Sequence, residues 1–384
     1  MNVLFAHDHK FRLKDGRYYS GGGLPDKVLS RYIEHPGELS VIARVVPVQK
    51  GDTELSLISN PNIKIYNYYQ KGISMKELVR KSDLIVVRLP SIIGILTIIQ
   101  SILQKKKYMI ELVGCPRDSY KYHGSSLGKL VSPIMSIVTK WLVKNSEYVL
   151  YVSQWFLQKR YPTKGLSVAC PDVFLKEPNE QVLINRLTKI DNLKEKKTLK
   201  LGLIGSLSVS YRGHSTAIKA LDLLKRQGVS CQLYFLGGGS KKNWIEYSRK
   251  YDVENSVIYS GTLPSGEPVL NWIDEMDILI MPTQAETLGR AIIEAMSRAC
   301  PVLGSVETAI GEQIGSDCLF YAEDYIRLAS LIKRMINDTD YMRYCAYENF
   351  YRSFKYSNKQ TDKIRNEFFR IYKERVYEEK LGGN

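Results

Sequence analysis

The sequence predicts an α/β protein made of two Rossmann-like domains, each a doubly wound parallel sheet, facing each other across a cleft. Three observations predict it. Short apolar runs alternate with helical patterns along the chain, the mark of βαβ units and parallel strands. The alternation comes in two series, each long enough for its own sheet. The chain has 384 residues, too many for one ordinary core and a fit for two domains of common size.

In the first series the strand-like runs are 2–6, 40–48, 63–66, 84–88, 108–113 and 148–152. In the second they are 199–205, 231–237, 257–261, 277–282, 301–304 and 318–321. The first strand is expected to end at His7-Asp8-His9, before a loop that reaches Ser20-Gly21-Gly22-Gly23-Leu24, where a helix starts. The break between the series holds Pro171, Pro178 and a charged stretch from 191 to 200. The expected division is an N-terminal domain over 1–170, a linker over 171–198 and a C-terminal domain over 199–356. A last segment, 357–380, carries Ile364, Phe368, Ile371 and Tyr372 at helical spacing and is expected to pack back, joining the first domain.

Composition narrows the class. With 44% apolar and 25% charged residues, the chain reads as globular rather than disordered. No run of about 18 uncharged apolar residues predicts a membrane span, and the first residues do not read as a signal peptide. Six cysteines lie far apart with no C-x-x-C pair, which argues against a zinc cluster and fits a reducing, cytoplasmic setting. The net charge is +15. Residues 1–170 carry 25 basic and 12 acidic side chains, and the rest carry 30 and 28. The excess belongs to the first half and points to an anionic partner: nucleic acid, a membrane face or a phosphorylated substrate.

Two stretches of that half bear on the choice. Residues 92–103 are nearly all apolar and are followed by Lys105, Lys106 and Lys107; so short a run reads as a buried helix. Leu127, Leu130, Val131, Ile134, Val138, Trp141 and Leu142 form one helical stripe, with Lys129, Lys140 and Lys144 nearby. A core helix and a docking face for anionic lipid are equally open readings there.

The stretch 277–305, DILIMPTQAETLGRAIIEAMSRACPVLGS, carries the chemistry. A buried strand ends at Pro282, a loop follows, and a helix begins near Gly289. Glu286 lies in the loop at the carboxyl end of the strand, where open α/β sheets bind ligands. Glu294 lies at mid-helix among Ile292, Ile293 and Met296, a costly place for a carboxylate without hydrogen bonds. The Thr287, Leu288 and Gly289 amides open the helix, where backbone donors and the dipole favour an anion. A diphosphate fits between two carboxylates that accept from sugar hydroxyls.

This run, with seven residues between Glu286 and Glu294, resembles the E-x7-E signature of retaining family-4 glycosyltransferases of the GT-B fold. The resemblance implies that Glu286 touches the donor sugar, the amides after it touch sugar and diphosphate, and Glu294 holds the ribose. Arg212-Gly213, in LIGSLSVSYRGH, fits the family's basic-glycine step, so Arg212 is expected on the donor diphosphate, which a guanidinium can grip with two donors. The family's earlier arginine is absent; Ser206 and Ser208 occupy that loop. Gly237-Gly238 and Leu263 resemble positions that line the nucleotide, and Gly22-Gly23 resembles a loop that approaches the diphosphate from the opposite domain. Asp118 and His123 follow the 108–113 run and are candidates for a catalytic or sugar-binding role, with an ordinary loop cap as the other reading. Arg117 is a further phosphate candidate. Asp338-Thr339-Asp340 has the form of a D-x-D metal motif but separates two helical patterns, so it reads as a helix cap; no metal is expected.

The implied reaction is a metal-independent, retaining transfer of a hexosyl group from a UDP- or GDP-sugar, with no cofactor beyond that co-substrate. The implied acceptor is a glycan, carried on a lipid diphosphate at the inner membrane face, in assembly of a surface polysaccharide such as a capsule, O-antigen or exopolysaccharide. The basic half would then meet an anionic membrane surface as a peripheral protein. Two alternatives stand: a non-transferring GT-B enzyme such as a nucleotide-sugar 2-epimerase, and a basic nucleic-acid-binding protein. The chain carries no recognised nucleic-acid motif, and no nucleic-acid partner is expected.

Overall fold

A computed structural model describes residues 1–33, 37–49, 52, 55–122, 126–195 and 198–382. The first sheet contains β1 (Asn2–Lys14), β2 (Arg17–Gly21), β3 (Glu38–Pro47), β4 (Leu55–Leu57), β5 (Ile63–Asn67), β6 (Leu84–Leu89), β7 (Met109–Leu112), β8 (Tyr148–Tyr151) and β9 (Leu166–Ala169). Its parallel body runs β5-β3-β1-β6-β7-β8-β9, with β2 antiparallel to the second half of β1 and β4 antiparallel to β2. The second sheet, β10 (Leu199–Ile204), β11 (Cys231–Leu236), β12 (Val257–Gly261), β13 (Ile278–Met281), β14 (Val302–Ser305) and β15 (Leu319–Phe320), is wholly parallel in the order β12-β11-β10-β13-β14-β15. These are the two sheets that the sequence predicts, the first with an antiparallel extension of β2 and β4.

The first strand corrects the sequence reading. It does not end at His9 before a loop. It continues to Lys14, and Asp15 and Gly16, at φ 49° and 72°, turn it into β2. Asp-Gly is a preferred two-residue hairpin turn because both positions need positive φ. The helix after the glycines is one turn, Asp26–Leu29.

Alternation of side chains along the buried strands divides the first core into two layers. Leu4, Val87, Ile110 and Val149 face the Ile92–Leu103 and Ser126–Lys144 helices. Val3, Phe5, Val86, Met109 and Tyr148 face the other way and meet Phe368, Phe369, Tyr372 and Val376. Those four belong to the C-terminal helix Asn358–Gly382, which therefore returns to the first sheet. Within 171–198, the helix Glu180–Asp191 lies on the second sheet's side, where its Arg186 donates to the Met276 and Ile273 carbonyls at 2.6 and 3.2 Å.

The 92–103 helix reads from the sequence as a core helix with solvated ends; Ile93 and Ile98 do enter the core, but Ile99 stays exposed along with Ile102 and Leu103 at the end. No helix among the described residues is long and apolar enough to cross a membrane. All six cysteines are free and buried.

Candidate active site in the interdomain crevice

The loop after β13 is held by polar contacts on every side. The Thr283 hydroxyl donates to the Tyr211 carbonyl at 3.1 Å, and the Gln284 amide donates to the same carbonyl at 2.8 Å. The buried Gln313 side chain donates to the Leu288 carbonyl. Gly289 then takes φ 66°, and a Cβ there would lie 2.8 Å from Gln313 Oε1. Left-handed backbone and close neighbours both call for glycine. The helix Arg290–Ser297 follows.

This frame brings Glu286 to Arg212. Arg212 Nη1 donates to Glu286 Oε2 at 2.6 Å. Glu286 Oε1 accepts from the amides of Thr287 at 3.1 Å and Leu288 at 3.4 Å. Burial alone would raise the carboxyl's pKa, but the guanidinium and the backbone donors outweigh it and hold the group below the ordinary glutamate range. The expected diphosphate donors, Arg212 and the 287–289 amides, thus already hold an anion: the carboxylate of Glu286.

Glu294 lies one helical segment on, in a cavity of about 760 Å³ between the two sheets' domains. Gly22 and Gly23 come to this cavity from the first domain, and Arg290 and Glu294 from the second. Burial pushes the Glu294 carboxyl up, against the opposing pull of Arg290. Asp172, at the first crossing between domains, lines the same cavity, and burial of its carboxyl is outweighed by Arg88, Arg365, Arg31 and Arg290. Arg290 and Asp172 were not singled out from sequence. Arg290 is adjacent to Gly289 and could have been; Asp172 is in the crossing segment and shows its place only in three dimensions.

The remaining donor candidates lie at the carboxyl ends of neighbouring strands. A Cβ on Gly237 would stand 2.0 Å from the Gly205 carbonyl oxygen, so β10 and β11 can approach here only with glycine. The Gly238 carbonyl accepts from the Leu207 amide at 2.8 Å and so holds the loop that leads to Arg212. Trp244 Nε1 donates to the Leu207 carbonyl at 2.8 Å and braces the same loop. Leu263 is half-buried against the second core.

On the acceptor side Asp118 pairs with Arg160 at 2.6 Å, and no contact among the described residues joins it to Glu286 or Arg212. His123 lies outside the described residues. A second cavity, of about 630 Å³, carries Arg117, Lys121 and Lys129 from the first domain and Ser210 and Gln284 from the second. Its second-domain wall is thus two residues from Arg212 on one side and two from Glu286 on the other. Asp8 serves structure: its carboxylate accepts from the Ile92 and Ile93 amides at 2.7 and 3.0 Å. Burial holds the flanking His7 and His9 down, to about 3 and about 4. Asp338 caps the helix Thr339–Ser353 by accepting from the Tyr341 amide at 2.9 Å. Among the described residues no group of three or more His, Cys, Asp or Glu is placed to hold a metal ion.

The domains touch at several points around the crevice. The Thr287 hydroxyl donates to the Val113 carbonyl at 3.2 Å. The Glu312 carboxylate accepts from the Gln154, Trp155 and Phe156 amides at 2.6, 2.7 and 2.9 Å. The Tyr122 and Tyr211 rings lie 5.5 Å apart.

Comparison with known proteins bears on this geometry. The model of the family "Glycosyl transferases group 1" matches residues 198–338, the part that holds Arg212, Glu286 and Glu294. Protein CapJ of Staphylococcus aureus is 30% identical over 361 residues, covering 91% of this chain and 90% of its own. The 2-deoxystreptamine glucosyltransferase of Streptomyces kanamyceticus is 21% identical over 238 residues, 59% of this chain and 60% of its own. Among solved structures, Anabaena HepE in complex with UDP has a TM-score of 0.68 at 15% identity, covering 97% of this chain and 100% of that one. WaaG, a glycosyltransferase involved in lipopolysaccharide biosynthesis, has a TM-score of 0.59 at 14% identity, covering 94% and 99%. At such identities the solved structures show the fold alone.

Proposed function

The chain belongs to the group 1 glycosyl transferases, and we propose that it moves a hexosyl group, with retention at the anomeric carbon, from a UDP- or GDP-sugar to a glycan acceptor on a lipid diphosphate. The product would be a surface polysaccharide such as a capsule or O-antigen. The observation that carries this reading is the Glu286–Arg212 pair on the 287–288 amides, beside a cavity lined by Glu294. One anion is held there by a guanidinium and two backbone donors, and a diphosphate needs the same partners. Its arrival would displace the carboxylate of Glu286 from the amides and turn it toward the sugar. Glu294 would accept from the ribose hydroxyls.

In the reaction the bond from the anomeric carbon to the diphosphate oxygen breaks, and its electron pair leaves on that oxygen. The acceptor hydroxyl oxygen bonds to the carbon, and its proton passes to the departing phosphate. Charge grows on the diphosphate, and donors fixed before the reaction stabilise it most. Arg212 and the helix start are so fixed. The crevice contacts around Thr287 help to exclude water from the oxocarbenium-like carbon. The basic first domain and its cavity of Arg117, Lys121 and Lys129 would receive the anionic acceptor. The likeness to CapJ, over nine-tenths of both chains, supports a cell-surface product.

The test is a turnover screen of UDP- and GDP-sugars with lipid-diphosphate-linked acceptors. Release of nucleoside diphosphate together with glycosylated acceptor supports the reading. Conversion of the donor sugar with no acceptor product would replace it with the epimerase reading.

A further inference from the structure

The Ser126–Lys144 helix sends Leu142 and Val143 into the core beside Ile93 and Ile98. Its outer side is bare. Leu130, Ile134, Ile137 and Trp141 recur at intervals of four, three and four, one helical stripe, and are 72%, 60%, 67% and 57% exposed. The sequence stripe is thereby corrected: Leu142 is buried, Val131 and Val138 are half-buried, Ile137 joins the outer set, and the Leu127 side chain lies outside the described residues. The helix is apolar on two sides, and only one of them meets the sheet. Ile99, Ile102 and Leu103 of the Ile92–Leu103 helix are exposed on the same layer. The two helix ends flank one surface cleft, lined by Ile102, Lys105 and Asn145 and by Glu147 and Glu379, which both pair with Lys107. Single exposed apolar residues are ordinary, whereas a contiguous patch marks a docking face.

Charge selects the occupant. Lys129, Lys140 and Lys144 are exposed beside the stripe, and the helix contains no acidic residue. An apolar stripe whose own helix carries cations and no acid matches a surface with an apolar interior and negative headgroups. We infer that the outer stripe of the Ser126–Lys144 helix, with Ile99, Ile102 and Leu103 beside it, docks this protein on an anionic lipid bilayer. The inference rests on the lipid-linked acceptor proposed above and adds where on the molecule that acceptor arrives. The same helix gives Lys129, Ser132 and Pro133 to the basic cavity that borders Ser210 and Gln284. Docking by the stripe sets this cavity against the headgroup layer, and the acceptor's diphosphate reaches Arg212 and Glu286 without leaving its membrane.

Flotation of the full chain with vesicles tests this. Phosphatidylglycerol in phosphatidylcholine is the probe, and phosphatidylcholine alone is the reference. The protein is expected to float with the anionic vesicles and to release as salt screens the lysines. Lys140→Ala with Lys144→Ala should lower partition roughly thirtyfold, and Ile134→Glu with Trp141→Glu by at least roughly tenfold. All four positions are exposed, and unchanged circular dichroism verifies the fold of each variant. Absence of flotation, equal binding to both vesicle types, or unaltered flotation of the variants overturns the proposal. So does a dimer in sedimentation velocity that the glutamate variant breaks, if the wild type ignores vesicles; the stripe is then a contact between copies. None of these results touches the transferase reading, which fails separately if no donor sugar reaches any acceptor.

Discussion

Glu286 has two sets of neighbours to satisfy, and that tension makes it the most informative single residue. Its carboxylate rests on Arg212 and on the amides of Thr287 and Leu288. Glu286→Gln keeps the size and one acceptor but loses the charge that the guanidinium faces. Transfer should fall roughly a hundredfold or more, while far-UV circular dichroism and nucleotide binding persist; full activity in that variant would remove the glutamate from the sugar site. Glu294 predicts a pH effect of definite sign. Burial raises its pKa above the ordinary glutamate value, so it stays protonated further into the mildly acidic range. The ionised form accepts from both hydroxyls of a ribose. Nucleotide affinity should therefore rise with pH from about pH 4 and level off above the raised pKa, and Glu294→Gln should flatten the profile in a calorimetric titration. That Glu286 sits in a loop and Glu294 on the helix after it was legible in the sequence because that pattern is local. The partnership with Arg212 was not, since 74 residues separate the two.

At the scale of elements, the site depends on close backbone approaches. Gly213 has φ +81°, and a Cβ there would stand 1.9 Å from the Pro282 carbonyl oxygen. The helix that follows Arg212 and the loop that precedes Glu286 can thus touch only through a glycine. Gly213→Ala should cost at least roughly 2 kcal/mol and lower activity further by moving Arg212 off Glu286. Gly238→Ala is the control. Its Cβ would meet only the Thr262 methyl, at 3.2 Å, and it should cost under about 1 kcal/mol. Urea denaturation of the two variants reads the difference; equal midpoints would refute the steric argument. The buried strands could be read from sequence because parallel strands covered on both faces are continuous apolar runs. The pieces missed lack that signature. β9 is an edge strand whose Leu166 and Ser167 are exposed, and β2 follows an Asp-Gly turn whose meaning lies in φ rather than in hydrophobicity.

For the whole molecule, the question is what sets the crevice. The chain crosses between domains twice, and a buried charge cluster anchors both crossings to the first sheet. Glu111, fully buried, accepts from Tyr32 at 2.7 Å, from Arg365 of the C-terminal helix at 2.8 Å and from Arg88 at 3.0 Å. Arg88 also reaches Asp172, on the first crossing, at 3.2 Å. Arg365 and Glu111 lie 254 positions apart, so no local pattern could have announced the pair. The cluster holds the roots of the hinge and leaves the opening between domains to weaker contacts. Of those, Glu312 is the strongest by geometry, with three amides on one carboxylate. It also meets the start of the Phe156–Arg160 helix, where a negative charge is favoured. Glu312→Ala removes this tie without touching either core. The expected result is a larger radius of gyration in solution scattering and a raised KM for the donor, with the thermal transitions of both domains moved by no more than about a degree or two. An unchanged scattering profile would assign the closed crevice to Thr287 and the Tyr122–Tyr211 contact instead. A lowered transition would show that the carboxylate supports a domain rather than the space between two. In either case the comparison separates what folds each half from what holds the halves together, and only the second can change when a donor binds.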